Sequence, residues 1–156
     1  MKAEFVNPFL KAAYNVLQQE ARCEVNRGPV TIQESALASD EVTVLIGVTG
    51  KIQGVVMYCM SERTAKSIVS AMTGEITPVF DTMVESAVAE MGNVITGVAS
   101  TLLEKQGYDC TISPPSVISG RGVVVSTLSI KRLVIPAETA LGTVTIHVAL
   151  QENSRP

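Results

Sequence analysis

Histidine is almost missing from this chain, with His147 the only one in 156 residues. That excludes most sites needing imidazole as a base or several imidazoles around a metal. Cysteine is nearly as scarce. Cys23, Cys59 and Cys110 are odd in number, lie far apart and form no CxxC pair, so neither a disulfide framework nor a zinc site is legible. Reduced, mostly buried thiols are expected instead. Basic excess is missing too: a formal charge of -3 and a pI near 5.2 speak against binding nucleic acid phosphates or an anionic membrane surface. No apolar run approaches the roughly 20 residues of a membrane span, and no apolar stretch follows Lys2 at the start, so a cytoplasmic protein is expected. Neither GxxxxGK[ST] nor GxGxxG occurs, and Ser119-Gly120-Arg121-Gly122 reads as a turn.

What the chain does have is apolar content. At 46% hydrophobic residues it can bury a core without staples, and residues 1–156 are expected to form one domain. Asn7-Pro8, followed by Phe9, Leu10, Ala13, Val16 and Leu17, predicts a helix with a cap and a first-turn proline, ending near Ala21. Val42 to Val48 and Ile52 to Met60 read as a hairpin across Thr49-Gly50-Lys51. Ser61 can cap a short helix that Gly74 stops. Thr77-Pro78 then opens the longest helical pattern, which runs to Gly107. After loops at Pro114-Pro115 and Ser119 to Gly122, strands are predicted over Val123 to Ile130, Leu133 to Ile135 and Thr143 to Leu150, with a polar tail from Gln151. His147 alternates with Val144, Ile146, Val148 and Leu150 and reads as a solvent-facing strand residue. The order of elements predicts an α+β fold, a mostly antiparallel sheet packed against helices.

The long helix carries two faces. At about 100° per residue, Val84, Ala87, Val88, Met91, Ile95, Val98 and Leu102 form a core stripe. Ser86, Glu90, Asn93 and Gly97 fall on a second stripe roughly opposite, with Glu104 further along. That stripe is bare: between Ser86 and Ser100 only Glu90 is charged. Gly92 and Gly97 sit inside the helix although each costs about 1 kcal/mol relative to alanine. Close packing within the protein, or a second protein against the exposed face, would each account for them. Glu90 and Asn93, three apart, emerge side by side and can engage one small target together. The same spacing also describes a surface carboxylate hydrogen-bonded to its amide neighbour.

The string Ser86-Ala87-Val88-Ala89-Glu90-Met91-Gly92-Asn93-Val94-Ile95-Thr96-Gly97 resembles the active-site helix of the CheC/CheX/FliY phosphatase family. Pro114-Pro115-Ser116-Val117-Ile118-Ser119-Gly120 is similar to the family's proline-containing segment, and Val44 to Met60 to its hairpin. The resemblance extends from about Val6 to Leu150. A single Glu and Asn motif and the chain length match the CheX branch rather than CheC. One departure is that Pro115 lies one residue nearer Asn93 than the family spacing.

The resemblance implies a phosphatase that dephosphorylates CheY-like receiver domains, acting as a homodimer that shares a continuous sheet. By position, Asn93 would hold the attacking water and Glu90 would engage the receiver's lysine, with Ser86 and Gly97 as contacts to the partner. The receiver brings its own acyl phosphate, magnesium ion and lysine, so no cofactor of the protein's own is expected. An amide suits the remaining task, since its carbonyl accepts from the water while its NH2 donates elsewhere. The competing expectation is a non-catalytic adaptor using the same helix to bind a receiver or a flagellar switch component.

Overall fold

In the computed structural model, which describes residues 3–34, 37–38, 40–127 and 130–153, helices cover one face of an antiparallel sheet. The helix α1 (Val6–Ala21) packs with α2 (Glu62–Thr73) and α3 (Thr82–Lys105). Ten strands occur among the described residues: β1 (Asn26–Arg27), β2 (Thr31–Gln33), β3 (Leu37–Ala38), β4 (Val42–Gly50), β5 (Ile52–Met60), β6 (Cys110–Ile112), β7 (Ser116–Ser119), β8 (Val124–Val125), β9 (Arg132–Thr139) and β10 (Gly142–Glu152). The main sheet runs β1-β9-β10-β5-β4-β6, with β2 also on β9 and β7 also on β4, while β3 and β8 pair separately. The α+β class is therefore the expected one, long helix included.

The expected hairpin β4–β5 forms, with Val44 opposite Tyr58 and Ile46 opposite Val56. Alternation sends Val42, Val44, Ile46, Val48, Val56, Tyr58, Met60, Ile146 and Val148 to the helix side, where all are buried. Ser61 caps α2 by accepting from the Thr64 N–H at 3.0 Å, and Gly74 ends it at φ 76, a left-handed position that favours glycine.

Two helix starts differ from the sequence reading. Ahead of α1 a turn of 3-10 helix (Ala3–Phe5) already sets helical backbone, so Asn7 is the second residue of the helix and caps nothing. Phe5 anchors that start, buried and edge-on to the Tyr108 ring at 5.3 Å. For α3 the cap is Asp81, not Thr77, with Oδ1 accepting from the Val84 N–H at 3.1 Å. Thr77 is occupied elsewhere: its N–H donates to Ser70 Oγ at 2.9 Å, and Lys66 Nζ donates to the Pro78 carbonyl at 3.4 Å. These bonds hold residues 77–78 against α2, and the helix begins only after them.

The strands also differ in detail. The stretch after α1 contributes β1 and β2 to the edge beyond β9, and β6 and β7 flank the Pro114-Pro115 loop. Between these two, Gly47 N donates to Ser113 Oγ at 2.8 Å while Ser113 N donates to the Gly47 carbonyl at 2.9 Å. The prolines, lacking an N–H, thus fall where the edge pairing breaks. Of the predicted strand over Val123 to Ile130 only β8 forms, and residues 128–129 lie outside the described residues. β10 runs through Gln151 to Glu152, so the polar tail starts later than expected, with 154–156 outside the described residues.

His147 is not solvent-facing but buried, on the second face of the sheet with Thr43, Met57, Cys59, Arg132, Val134 and Ala149. β10 lies centrally between β9 and β5, and both of its faces exclude water. Burial, then the nearby Arg132 charge, pushes the imidazole pKa down to about 4. Arg132 donates to Thr127 Oγ1 at 3.5 Å and Gln33 Oε1 at 3.3 Å, and its Nε and the His147 Nδ1 have no partner among the described residues. The cysteines are free thiols as expected, Cys59 pushed up to about 11 by burial above all.

Because the folded imidazole pKa lies below its ordinary 6.5, the unfolded chain binds the extra proton between those values. His147 therefore favours folding above about pH 6.5, and that contribution drains away as pH falls toward 4, a change of roughly 3 kcal/mol. Urea unfolding at pH 7 and pH 4.5 should show a smaller loss for His147→Gln than for the wild type. An identical loss in both proteins would remove His147 from the acid response.

Candidate functional site

α3 lies on the sheet closely enough to touch it with backbone. A Cβ built on Gly92 would meet Val44 Cγ1 at 3.0 Å and Tyr58 Cδ2 at 3.2 Å, both on fully buried side chains. Beside it the Tyr58 hydroxyl lies 2.7 Å from Thr96 Oγ1, which in turn donates to the Gly92 carbonyl at 2.7 Å. Tyr58 is the donor in that chain. Burial pushes its phenol pKa well above the usual value, a shift the Thr96 bond only partly offsets, so the proton stays. At the start of the helix, Ser119 Oγ donates to Glu85 Oε1 at 3.2 Å and ties the first turn to β7.

The inner surface of α3 is wider than one stripe. Val84, Val88, Met91 and Ile95 are buried as predicted, but so are Ala89, Gly92, Thr96, Ala99 and Leu103, while Ala87, Val98 and Leu102 are only half-buried. Two surfaces are served at once, α1 and the sheet.

The opposite stripe stands clear. Ser86 and Glu90 are exposed, Asn93 and Gly97 are half-buried, and Glu104 is exposed further along. Glu90 and Asn93 have no hydrogen bond, ion pair or other electrostatic partner among the described residues, so the carboxylate is not spent on its amide neighbour. Two adjacent polar side chains thus project from a rigid helix with all their hydrogen-bonding capacity unused. Gly97 differs from Gly92: a Cβ there would meet nothing within 4 Å. Close packing explains the first glycine, and no contact among the described residues requires the second.

Glu90 and Asn93 line none of three open grooves on the protein's surface. Open grooves lie elsewhere, one of about 580 Å³ lined by Arg63, Lys66, Ser70 and Ile76 beside α2, another at the far end of α3 near Asn7 and Leu102. Among the described residues no group of three or more His, Cys, Asp or Glu is placed to hold a metal, and no helix is long and apolar enough to cross a membrane. A carboxylate and an amide on the outward side of one helix do not by themselves enclose a small substrate. They can enter a pocket that another protein supplies.

Sequence reasoning had not singled out Tyr58 or Thr96, which fix the height of the helix, nor Met83 and Val94, apolar and exposed on the same outward side as Glu90. A tyrosine and a mid-helix threonine amid apolar neighbours were the available signal.

The chain is similar to known proteins. The family described as Chemotaxis phosphatase CheX matches residues 42–138. A curated protein of Thermotoga maritima, CheY-P phosphatase CheX, is 33% identical over 132 residues, covering 83% of this chain and 84% of its own. The structure of chemotaxis protein CheX from Vibrio vulnificus is 30% identical and superposes with a TM-score of 0.87 over 96% of this chain and 100% of that one. The structure of a CheX-CheY-BeF3-Mg2+ complex from Borrelia burgdorferi has 26% identity and a TM-score of 0.80 over 97% of this chain and 100% of that one.

The two helix glycines should respond oppositely to alanine. Gly97→Ala is expected to raise unfolding stability by about 1 kcal/mol, the helix-propensity difference in open space. Gly92→Ala must push Val44 or Tyr58 aside, at a cost of about 1–3 kcal/mol that cancels or exceeds the same gain. Chemical denaturation of both variants checks this, and equal stabilisation by the two would mean that α3 does not sit so close to the sheet.

Proposed function

The chain belongs to the CheX family of chemotaxis phosphatases, and from that premise we propose that it removes the phosphoryl group from the phosphoaspartate of a CheY-like response regulator. The observation that carries the residue roles is the unpartnered Glu90 and Asn93 pair on the outward stripe of α3. The receiver contributes the acyl phosphate and its magnesium ion; the complex of the Borrelia relative holds CheY with Mg2+ and with BeF3, which stands in for the phosphoryl group. This protein contributes position.

Hydrolysis requires a water in line with the bond between phosphorus and the aspartyl oxygen. As the water oxygen bonds to phosphorus, that bond breaks and the aspartate leaves as a carboxylate. The Asn93 carbonyl accepts from the water and orients a lone pair at phosphorus, so the residue needs no ionisation of its own. Glu90 pairs with the receiver lysine by a charge-assisted hydrogen bond and sets the register in which Asn93 enters. Ser86 and Gly97 lie on the same stripe as contacts, Gly97 admitting close approach where its missing side chain leaves space. A receiver seated over the pair excludes bulk water from the reacting atoms.

The same reading takes residues 1–156 as one phosphatase unit that works in the cytoplasm as a homodimer with a continuous sheet, and short edge strands such as β6 and β7 offer unpaired backbone for such pairing.

Phosphate release from small-donor-phosphorylated receivers of the same organism, at substoichiometric protein, tests the roles. Asn93→Ala should lose about a hundredfold in kcat, or roughly 2.7 kcal/mol of barrier, with affinity largely kept. Glu90→Ala should raise KM and flatten its salt dependence. A wild type that binds the phosphorylated receiver without speeding its decay would turn the protein into an adaptor.

A further inference from the structure

Seven large apolar side chains stand exposed among the described residues, and four of them, Ile76, Val79, Met83 and Val94, fall between the end of α2 and the middle of α3. Such clustering is not the scatter of single apolar residues that every surface carries. Met83 is 57% and Val94 40% exposed, and both belong to the outward side of α3 that bears Glu90. Met83 lies seven residues before Glu90, two turns or about 10 Å along the axis, and Val94 one turn after it, about 6 Å.

We propose that Met83 and Val94 are the apolar flanks of the receiver contact, gripping aliphatic or aromatic side chains on either side of the receiver's phosphorylation pocket and thereby selecting which receivers are substrates. The proposal rests on the reading of Glu90 and Asn93 as the centre of that contact.

Three considerations carry it. A specific protein contact buries about 800 Å² on each partner, a disc of roughly 16 Å radius, so a receiver centred on Glu90 and Asn93 necessarily covers both flanks. Their hydrophobic surface is then removed from water on complex formation, at about 25 cal/mol per Å² of apolar area. Second, the centre of the stripe holds a carboxylate and an amide, which supply register but little net affinity once desolvation is counted. Adhesion has to come from neighbours, and between Ser86 and Ser100 no second charge is available. Third, a second copy of this chain is the wrong occupant, because whatever covers Met83 and Val94 also covers Glu90 and closes the helix to the receiver.

The flanks touch no reacting atom, so they act on KM and leave kcat alone. Being uncharged, they act equally at low and high salt, unlike Glu90. The test uses the full chain carrying Met83→Asn and Val94→Asn together, with Met83→Leu and Val94→Ile as the conservative pair. Phosphate release and binding of a BeF3-Mg2+-loaded receiver are measured side by side at two salt concentrations. The expected result is a rise of about tenfold in both KM and Kd for the polar pair, kcat within twofold, the same ratio at both salts, and near wild-type values for the conservative pair. Unchanged KM and Kd overturn the proposal, as does a fall in kcat at unchanged KM. A wild type that binds without turnover defeats the phosphatase reading but not this one, provided the polar pair still loses affinity. A wild type that neither binds nor turns over defeats both.

Discussion

The contact between Gly92 and the sheet, closed by the hydrogen bond from Tyr58 to Thr96, sets the position of everything on the outer side of α3. It joins a helix backbone to a strand side chain in a fully buried setting, where the Thr96 hydroxyl both accepts from Tyr58 and donates to the Gly92 carbonyl. Any larger residue at 92 would have to displace Val44 or Tyr58. Because Glu90 and Asn93 bracket this point of close approach, their Cα atoms are fixed by a fully buried contact. The proposed task of placing one water gains from that rigidity, since a misplacement of about 1 Å can cost a hundredfold in rate.

The site is also incomplete by construction. Glu90 and Asn93 are unpartnered among the described residues, and on the proposed roles the chemistry waits for a receiver that brings the metal and the leaving group. That proposed division fits a chain so poor in the usual catalytic residues. Having one histidine, buried with its pKa held near 4, costs the protein nothing when no imidazole is needed at the reacting centre.

Much of this was legible beforehand because local signals agreed. Ser61 and Gly74 bound α2, the hairpin β4–β5 has alternating faces, and the outward placement of Ser86, Glu90 and Gly97 follows from helical geometry alone. Where signals competed, the sequence could not choose. Thr77 and Asp81 are both good caps, and only the tertiary bond from Thr77 to Ser70 decides for Asp81. His147 followed a strand alternation that assumes one wet face, yet β10 is central and buried on both sides. The run Val55 to Met60, apolar at nearly every position, was the sign of two-sided burial. The two helix glycines looked alike in sequence and differ only through what surrounds them.

The central claim is that the outer stripe of α3 enters a receiver's active site and that Asn93 holds the hydrolytic water there. A crystal structure of this protein with its receiver in the BeF3-Mg2+ state addresses it most directly. The account predicts α3 seated over the receiver pocket, Glu90 on the receiver lysine, and the Asn93 carboxamide within hydrogen-bond reach of the position in line with the aspartyl oxygen. A receiver bound to the sheet edge or to the groove beside α2, with Glu90 and Asn93 left in solvent, would contradict it.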